Sequence, residues 1–177
     1  MADAVLTRSV RGGMADAMEE GLAFRRTMSR LATGVAVITV EAAQGVWAIT
    51  INSLASVSLR PPLILWLLDN GSDRYAAFAG APRFGVSVLG AEQMDLAARF
   101  ATTGLAPVDD VEFERIAPGG IPLVRKALAR FDCSVFERRH VGDHLLIVGE
   151  VARHDARDGD GLLYFRSRYG VAPQEQP

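Results

Sequence analysis

The sequence predicts a mainly β fold, a small antiparallel barrel dressed with a few peripheral helices. Three observations predict it. Short alternating or β-branched runs recur at 35–40, 48–53, 63–68, 84–89, 127–140, 144–154 and 162–165, each bounded by turn residues. Only three stretches carry a helical pattern. The βαβ alternation of a parallel sheet is absent, as is G-x-G-x-x-G, so any nucleotide is held otherwise than in the Rossmann manner.

At 177 residues the chain is read as one domain over 18–172, with short tails at 1–17 and 173–177. A net charge of −2 gives no global field toward nucleic acid or an anionic membrane. The single Cys133 excludes an internal disulfide and fits a reducing cytoplasm. No apolar run reaches the ~20 residues of a membrane span, and residues 1–17 lack the apolar core of a signal peptide, so a cytoplasmic location is expected.

In chain order, Met18 to Ala32 forms an amphipathic helix, with Met18, Leu22, Met28 and Leu31 on one stripe and Arg25, Arg26 and Arg30 largely opposite. Thr33-Gly34 stops it, Val35 to Val40 is a strand, and Glu41 to Gly45 turns the chain into a second. From Ala48 to Ser53, Ile49 and Ile51 face one way and Thr50 and Asn52 the other. Ser53 to Arg60 places Ser53, Ser56 and Ser58 opposite Val57 and Leu59. Pro61-Pro62 ends that pairing, and Leu63 to Leu68 reads as a strand buried on both faces.

Beyond it, Tyr75 to Ala79 and Glu92 to Phe100 are helical, and Phe84 to Leu89 lies between them as a strand. Ala101 to Gly120 is expected to be mostly loop. Two long strands, Ala127 to His140 and His144 to His154, meet at Val141-Gly142-Asp143. Leu162 to Phe165 is the last strand, and Arg166 to Gly170 a basic-aromatic tail.

Several positions invite chemistry. Thr50, Asn52 and Ser53 beside exposed backbone suit a flat, polar heteroaromatic ligand, while a Ser-rich turn explains the same residues without one. Asn70 to Arg74 lies where a strand enters a helix, a place suited to phosphate with Arg74 as a fixed charge. The alternative is an N-cap at Ser72 and a solvated arginine. His144 follows a turn, where a lone histidine is ordinarily just exposed. His140 and His154 lack partners at ligand spacing, and no H-E-x-x-H or C-x-x-C occurs, so metal catalysis finds no support. Cys133, mid-strand, reads as a small buried hydrophobe. Arg166, Arg168 and Tyr169 form either a phosphate or ring clamp or a solvated tail.

The string T-x-N-S-x-x-S-V-S-x-x-P-P-L from Thr50 to Leu63 resembles the signature of the short-chain flavin reductases, the reductase components of two-component flavin monooxygenases. Other segments fall in the same order: Phe24-Arg25, Ala32-Thr33-Gly34-Val35, Phe84 to Leu89 before Gln93, Phe100, Gly142-Asp143-His144, Val148-Gly149-Glu150-Val151, and Leu163-Tyr164-Phe165 with Tyr169. The likeness spans roughly Phe24 to Gly170. It implies a Greek-key split β-barrel that binds FMN (or FAD) as a homodimer, with flavin sites near the subunit interface.

By that resemblance Thr50, Asn52 and Ser53 meet the isoalloxazine edge, and Ser56, Val57 and Ser58 the ribityl side. Asn70, Ser72 and Arg74 take the phosphate, Phe100 belongs to the flavin pocket, and His144 lies near the nicotinamide. Arg168 and Tyr169 contact NADH or NADPH. Two positions depart from the pattern: Arg60 stands where Asp is common, and Ile51 where a smaller residue is common. The implied function is hydride transfer from reduced nicotinamide to flavin for a separate monooxygenase. The alternatives are a flavin-storing electron carrier and a non-redox barrel that binds haem or a partner protein.

Overall fold

The computed structural model describes residues 18–102 and 113–174. The tail at 1–17, and most of the stretch read as a loop after Ala101, lie outside the described residues. Helix α1 covers 18–28, four residues shorter than the periodicity implied, and its apolar stripe stays exposed: Met18 is 69% accessible and Met28 48%.

All strand pairs are antiparallel. A seven-stranded sheet runs in the order β3-β2-β6-β9-β10-β5-β4, from β2 (Ala36–Ala42), β3 (Gly45–Ile51), β4 (Ala55–Leu59), β5 (Pro62–Asp69), β6 (Arg83–Val88), β9 (Ala129–Val141) and β10 (His144–Ala156). A three-stranded sheet joins β1 (Thr33–Gly34), β11 (Gly161–Phe165) and β12 (Arg168–Ala172), and β7 (Phe113–Glu114) pairs with β8 (Leu123–Val124). Two short helices, α2 (Tyr75–Gly80) and α3 (Met94–Ala101), complete the split barrel.

The core has two compartments, and β2 divides them. Ala36, Ile38 and Val40 point into the barrel with Trp66, Phe78, Phe84 and Ile147, while Val37 joins Val35, Leu89, Phe100 and Leu162 on the other side. Inside the barrel, Trp66 meets Phe78 and Phe84 edge-on, with centroids 6.0 and 5.8 Å away, a geometry worth roughly 0.5–1.5 kcal/mol per pair beyond burial.

β2 and β6, not β5, are thus buried on both faces. In β5 only Ile64, Trp66 and Leu68 are buried, whereas Leu63, Leu65 and Leu67 are half-buried on the outer face of the sheet. An unbroken apolar run in sequence fixes neither how many faces are covered nor what covers them.

Three further expectations change. The 166–170 segment is not a tail. Arg166-Ser167 turns β11 into β12, with Tyr164 opposite Tyr169 and Phe165 opposite Arg168. Both turn residues have positive φ, 51° and 60°, the geometry of a primed two-residue hairpin without the usual glycine or asparagine, which hid the turn from sequence reading. β4 is an edge strand whose register breaks between Ser56 and Ser58, so Val57 does not continue a buried face and Leu59 is 86% exposed. Part of the 101–120 stretch is ordered, because β7 pairs with β8.

Candidate functional site

Ser53 leaves the end of β3 and reaches across to β5, where its Oγ accepts the Leu67 backbone N–H at 3.1 Å. That bond uses a lone pair and leaves the hydroxyl proton free to donate. Asn52, next to it, is exposed, and its side chain makes no hydrogen bond among the described residues. Thr50 is different: its hydroxyl donates to the Ala97 carbonyl of α3 at 2.8 Å, leaving only lone pairs for a ligand.

These three residues form one wall of a groove of about 640 Å³, within the roughly 300–1,000 Å³ of small-molecule sites. Leu67 and Asp69 of β5 and His144 at the start of β10 line it as well. Arg25, Met28 and Ser29 of α1 and its exit, with Tyr164 and Ser167 of the last hairpin, close the sides. The hairpin is fastened there, since the Arg166 N–H donates to Ser29 O at 2.8 Å. A smaller recess of about 210 Å³ opens off the groove between Thr50, Asn52, Ala101 and the tyrosine pair Tyr164 and Tyr169, whose rings meet edge-on at 5.5 Å. Burial, with a smaller effect from Tyr164, pushes the Tyr169 hydroxyl up.

His144 is placed by the β9–β10 turn. Val141 and His144 are opposed, Gly142 and Asp143 make the turn, and Gly142 takes φ +59°, a conformation that favours glycine. The Asp143 carbonyl accepts the Asn70 N–H at 3.0 Å, locking this turn against the end of β5, where Asp69 pairs with His144. His144 Nδ1 lies 2.7 Å from Asp143 Oδ1, and that bond holds the Asp143 carboxyl below the usual carboxylate range.

Other expected site residues fall elsewhere. Arg74 offers no free charge to a phosphate. It is 4% exposed, its Nη1 donates to Ala48 O and Phe100 O at 2.9 Å each, and Nε lies 3.4 Å from Asp73. Ser72 Oγ accepts the Arg74 N–H at 3.3 Å, and α2 is only six residues long, too short for a strong dipole. Asn70 and Ser72 stand at the end of the β5 wall, outside the groove lining.

The Phe100 ring does not reach the pocket. It is fully buried and stacks on Phe113 at 6.0 Å, so its contribution is the carbonyl that receives Arg74. Ser56 and Val57 are exposed on β4, and Ser58 Oγ accepts the Arg60 N–H at 3.2 Å. Arg168 is exposed on β12, one residue from Tyr169.

Sequence reasoning missed Arg25, Asp69, Tyr164 and Ser167 as groove residues. Only the β5–β10 register and the hairpin, both long-range, bring them in.

A groove that gathers the Asn52 amide, the Ser53 hydroxyl and His144 with Ile49, Ile51 and Leu67 suits a flat heteroaromatic ring with polar edges. A split barrel carrying such a groove is a ring-binding protein of the flavin class. The chain belongs to the flavin reductase like family, whose domain model matches residues 28–173. It is 42% identical over 152 residues to the FMN reductase (NADH) SmoA of Agrobacterium fabrum, covering 86% of each chain. It is 35% identical over 154 residues to the NADH-dependent flavin reductase StyB of Pseudomonas fluorescens, covering 85% of this chain and 89% of that one. Among solved structures it superimposes on BorF, the flavin reductase component of a bacterial two-component tryptophan halogenase, with a TM-score of 0.81 and 34% identity over 88% of this chain and 99% of the other.

Proposed function

We propose that this protein is an NAD(P)H-dependent flavin reductase that passes reduced FMN, or FAD, to a separate flavin-dependent monooxygenase. The observation that carries the reading is that one groove is lined together by Asn52, whose amide has no hydrogen-bond partner among the described residues, by Ser53 and by His144. Flavin supplies the redox chemistry when bound, taking hydride from the nicotinamide. The chain's part is geometric. Asn52 and Ser53 donate to the polar edge of the ring, and Ile49, Ile51 and Leu67 supply apolar contact and keep water off its face. Ile51, larger than the family pattern favours, is 92% buried, so its bulk narrows the barrel side of the slot more than the mouth. Thr50 holds α3 in place and offers the ring an acceptor. Ser56 and Ser58 pair beside the start of β5 and are assigned to the ribityl side, whereas Asn70 and Ser72 follow the far end of β5 and are assigned to the phosphate. Arg168 and Tyr169 flank the recess on the nicotinamide side.

The protein acts as a homodimer in the cytoplasm. Support for the dimer comes from the outer face of the sheet, where Leu63, Leu65 and Leu67 line up with Val148 and Leu146 across the β5–β10 register. This half-covered apolar band runs directly into the groove at Leu67. The cytoplasmic assignment rests on a free, buried Cys133, and no described helix is long and apolar enough to cross a membrane.

Anaerobic mixing of the protein with NADH and excess free FMN tests the function. Many turnovers of free flavin support the reductase. A single stoichiometric reduction makes it a carrier, and a colourless protein indifferent to flavin removes both.

A further inference from the structure

We propose that Asp143 is a positioning residue that fixes the tautomer of His144, so that Nε2 presents a lone pair to the groove and selects a nicotinamide bearing its carboxamide N–H₂. The inference rests on the reductase reading above and adds to it the identity of the group recognised.

The chemistry follows from the 2.7 Å contact. An ionised carboxylate only accepts, so Nδ1 must carry the hydrogen it shares with Asp143 Oδ1. In the neutral ring the remaining nitrogen, Nε2, is then an acceptor. An unconstrained histidine side chain prefers the opposite arrangement, with the proton on Nε2, so the carboxylate reverses the default. The dyad is held from both directions. Gly142 at φ +59° aims the turn, and the Asp143 carbonyl is tied to Asn70 N at 3.0 Å. His144 lines the same groove as Asn52 and Ser53.

An acceptor at this point matches one feature of a nicotinamide ring, the amide hydrogens of its carboxamide. A carboxylate or a methyl ketone in that place offers nothing to donate. The other charged groups facing His144 are Asp69, its cross-strand partner, and Arg25, which lines the groove and lies close enough to Asp143 to favour its ionised form. Neither touches Nδ1 in the structure, so the tautomer depends on Asp143.

Two measurements test this. Ring nitrogen NMR of His144, assigned by its loss in His144→Ala, should show the Nδ1–H form of the neutral ring in the wild type and the Nε2–H form in Asp143→Ala. Asp143 is exposed, so that variant should fold. Steady-state kinetics should then compare NADH with the reduced 3-acetylpyridine analogue, which lacks the amide hydrogens. Wild type should favour NADH by roughly two- to tenfold in kcat/KM, the range of one net hydrogen bond. The preference should collapse toward unity in Asp143→Ala and recover in part in Asp143→Glu. An Nε2–H ring in the wild type, or an unchanged NADH preference in Asp143→Ala, overturns the proposal. Failure of the wild type to oxidise NADH at all would instead overturn the reductase reading while leaving the tautomer result standing.

Discussion

The hydroxyl of Thr50 donates to the carbonyl oxygen of Ala97 at 2.8 Å, pinning the polar edge of β3 to α3. Because that proton is spent, Thr50 and Asn52 should behave differently although both line the groove. Thr50→Val should lower unfolding free energy by about 1 kcal/mol and change FMN affinity little. Asn52→Ala should leave stability within ~0.5 kcal/mol and weaken FMN roughly tenfold. Denaturant melts and flavin titrations of the two variants check this, and the reverse pattern would exchange their roles.

Arg74 is the second case where a residue suited by type to ligand binding serves the scaffold. Its Nη1 satisfies Ala48 O and Phe100 O in a buried setting, joining β3, α2 and α3. Arg74→Met should cost about 1.5–3 kcal/mol, because two carbonyls lose a charged donor. The ratio of FMN to riboflavin affinity should not move, since the guanidinium is buried against two carbonyls. A selective loss of FMN binding in a protein of normal stability would restore the phosphate role.

Gly149, within the V-G-E-V segment, answers to packing. A Cβ there would lie 2.7 Å from Phe84 Cε1 and 3.2 Å from Cys133 Cβ, inside the barrel core. Gly149→Ala should lower stability by roughly 1–3 kcal/mol and reduce Tm without a specific effect on NADH or FMN affinity.

Cys133 has no exposure, and burial, helped by the neighbouring Asp132 charge, pushes its thiol up to about 12. The folded state therefore keeps its proton longer than the unfolded chain, whose thiol titrates near 9.0. The associated stability is whole below pH 9 and is lost as pH rises from there toward 12. Denaturation of Cys133→Ala should show a shallower decline over that window than wild type. Iodoacetamide at pH 8 should leave native protein unmodified and alkylate it once it is unfolded.

At the acid end the sign reverses. Arg130 grips Asp155 through Nε and Nη2 at 2.9 and 2.6 Å and holds its carboxyl below 3.8. That stability is present above the unfolded value and disappears as pH falls below it. The pair is partly exposed, so the effect is modest and salt should shrink it. Asp155→Asn should flatten the acid limb of the stability curve below about pH 4.

What sequence could convey follows the range of the interactions involved. The strands at 35–40, 84–89 and 144–154 were legible because side-chain alternation and β-branching are local, and the Gly142-Asp143 turn because glycine announces it. The β11–β12 hairpin was not, since its tip carries Arg and Ser in a glycine conformation. Residue type also marked Asn52 and Ser53 as site candidates, and the family pattern added His144. Residue type could not place the Arg74 guanidinium, because whether an arginine faces solvent or two carbonyls is decided by segments some 26 residues away. The family pattern carried Val57 as a contact, but the bulge in β4 settles where that side chain goes.

The left-handed pair at Arg166 and Ser167 bears on how this scaffold might be hardened. Glycine tolerates that backbone freely, whereas a side chain there costs on the order of 1 kcal/mol. Ser167→Gly should therefore raise thermal tolerance at the rim of the slot, and the anchoring amide one position earlier would survive the change. The same rim touches the ligand space through Ser167, so a heat-resistant variant would also show whether a stiffer or a looser mouth suits rapid exchange of cargo.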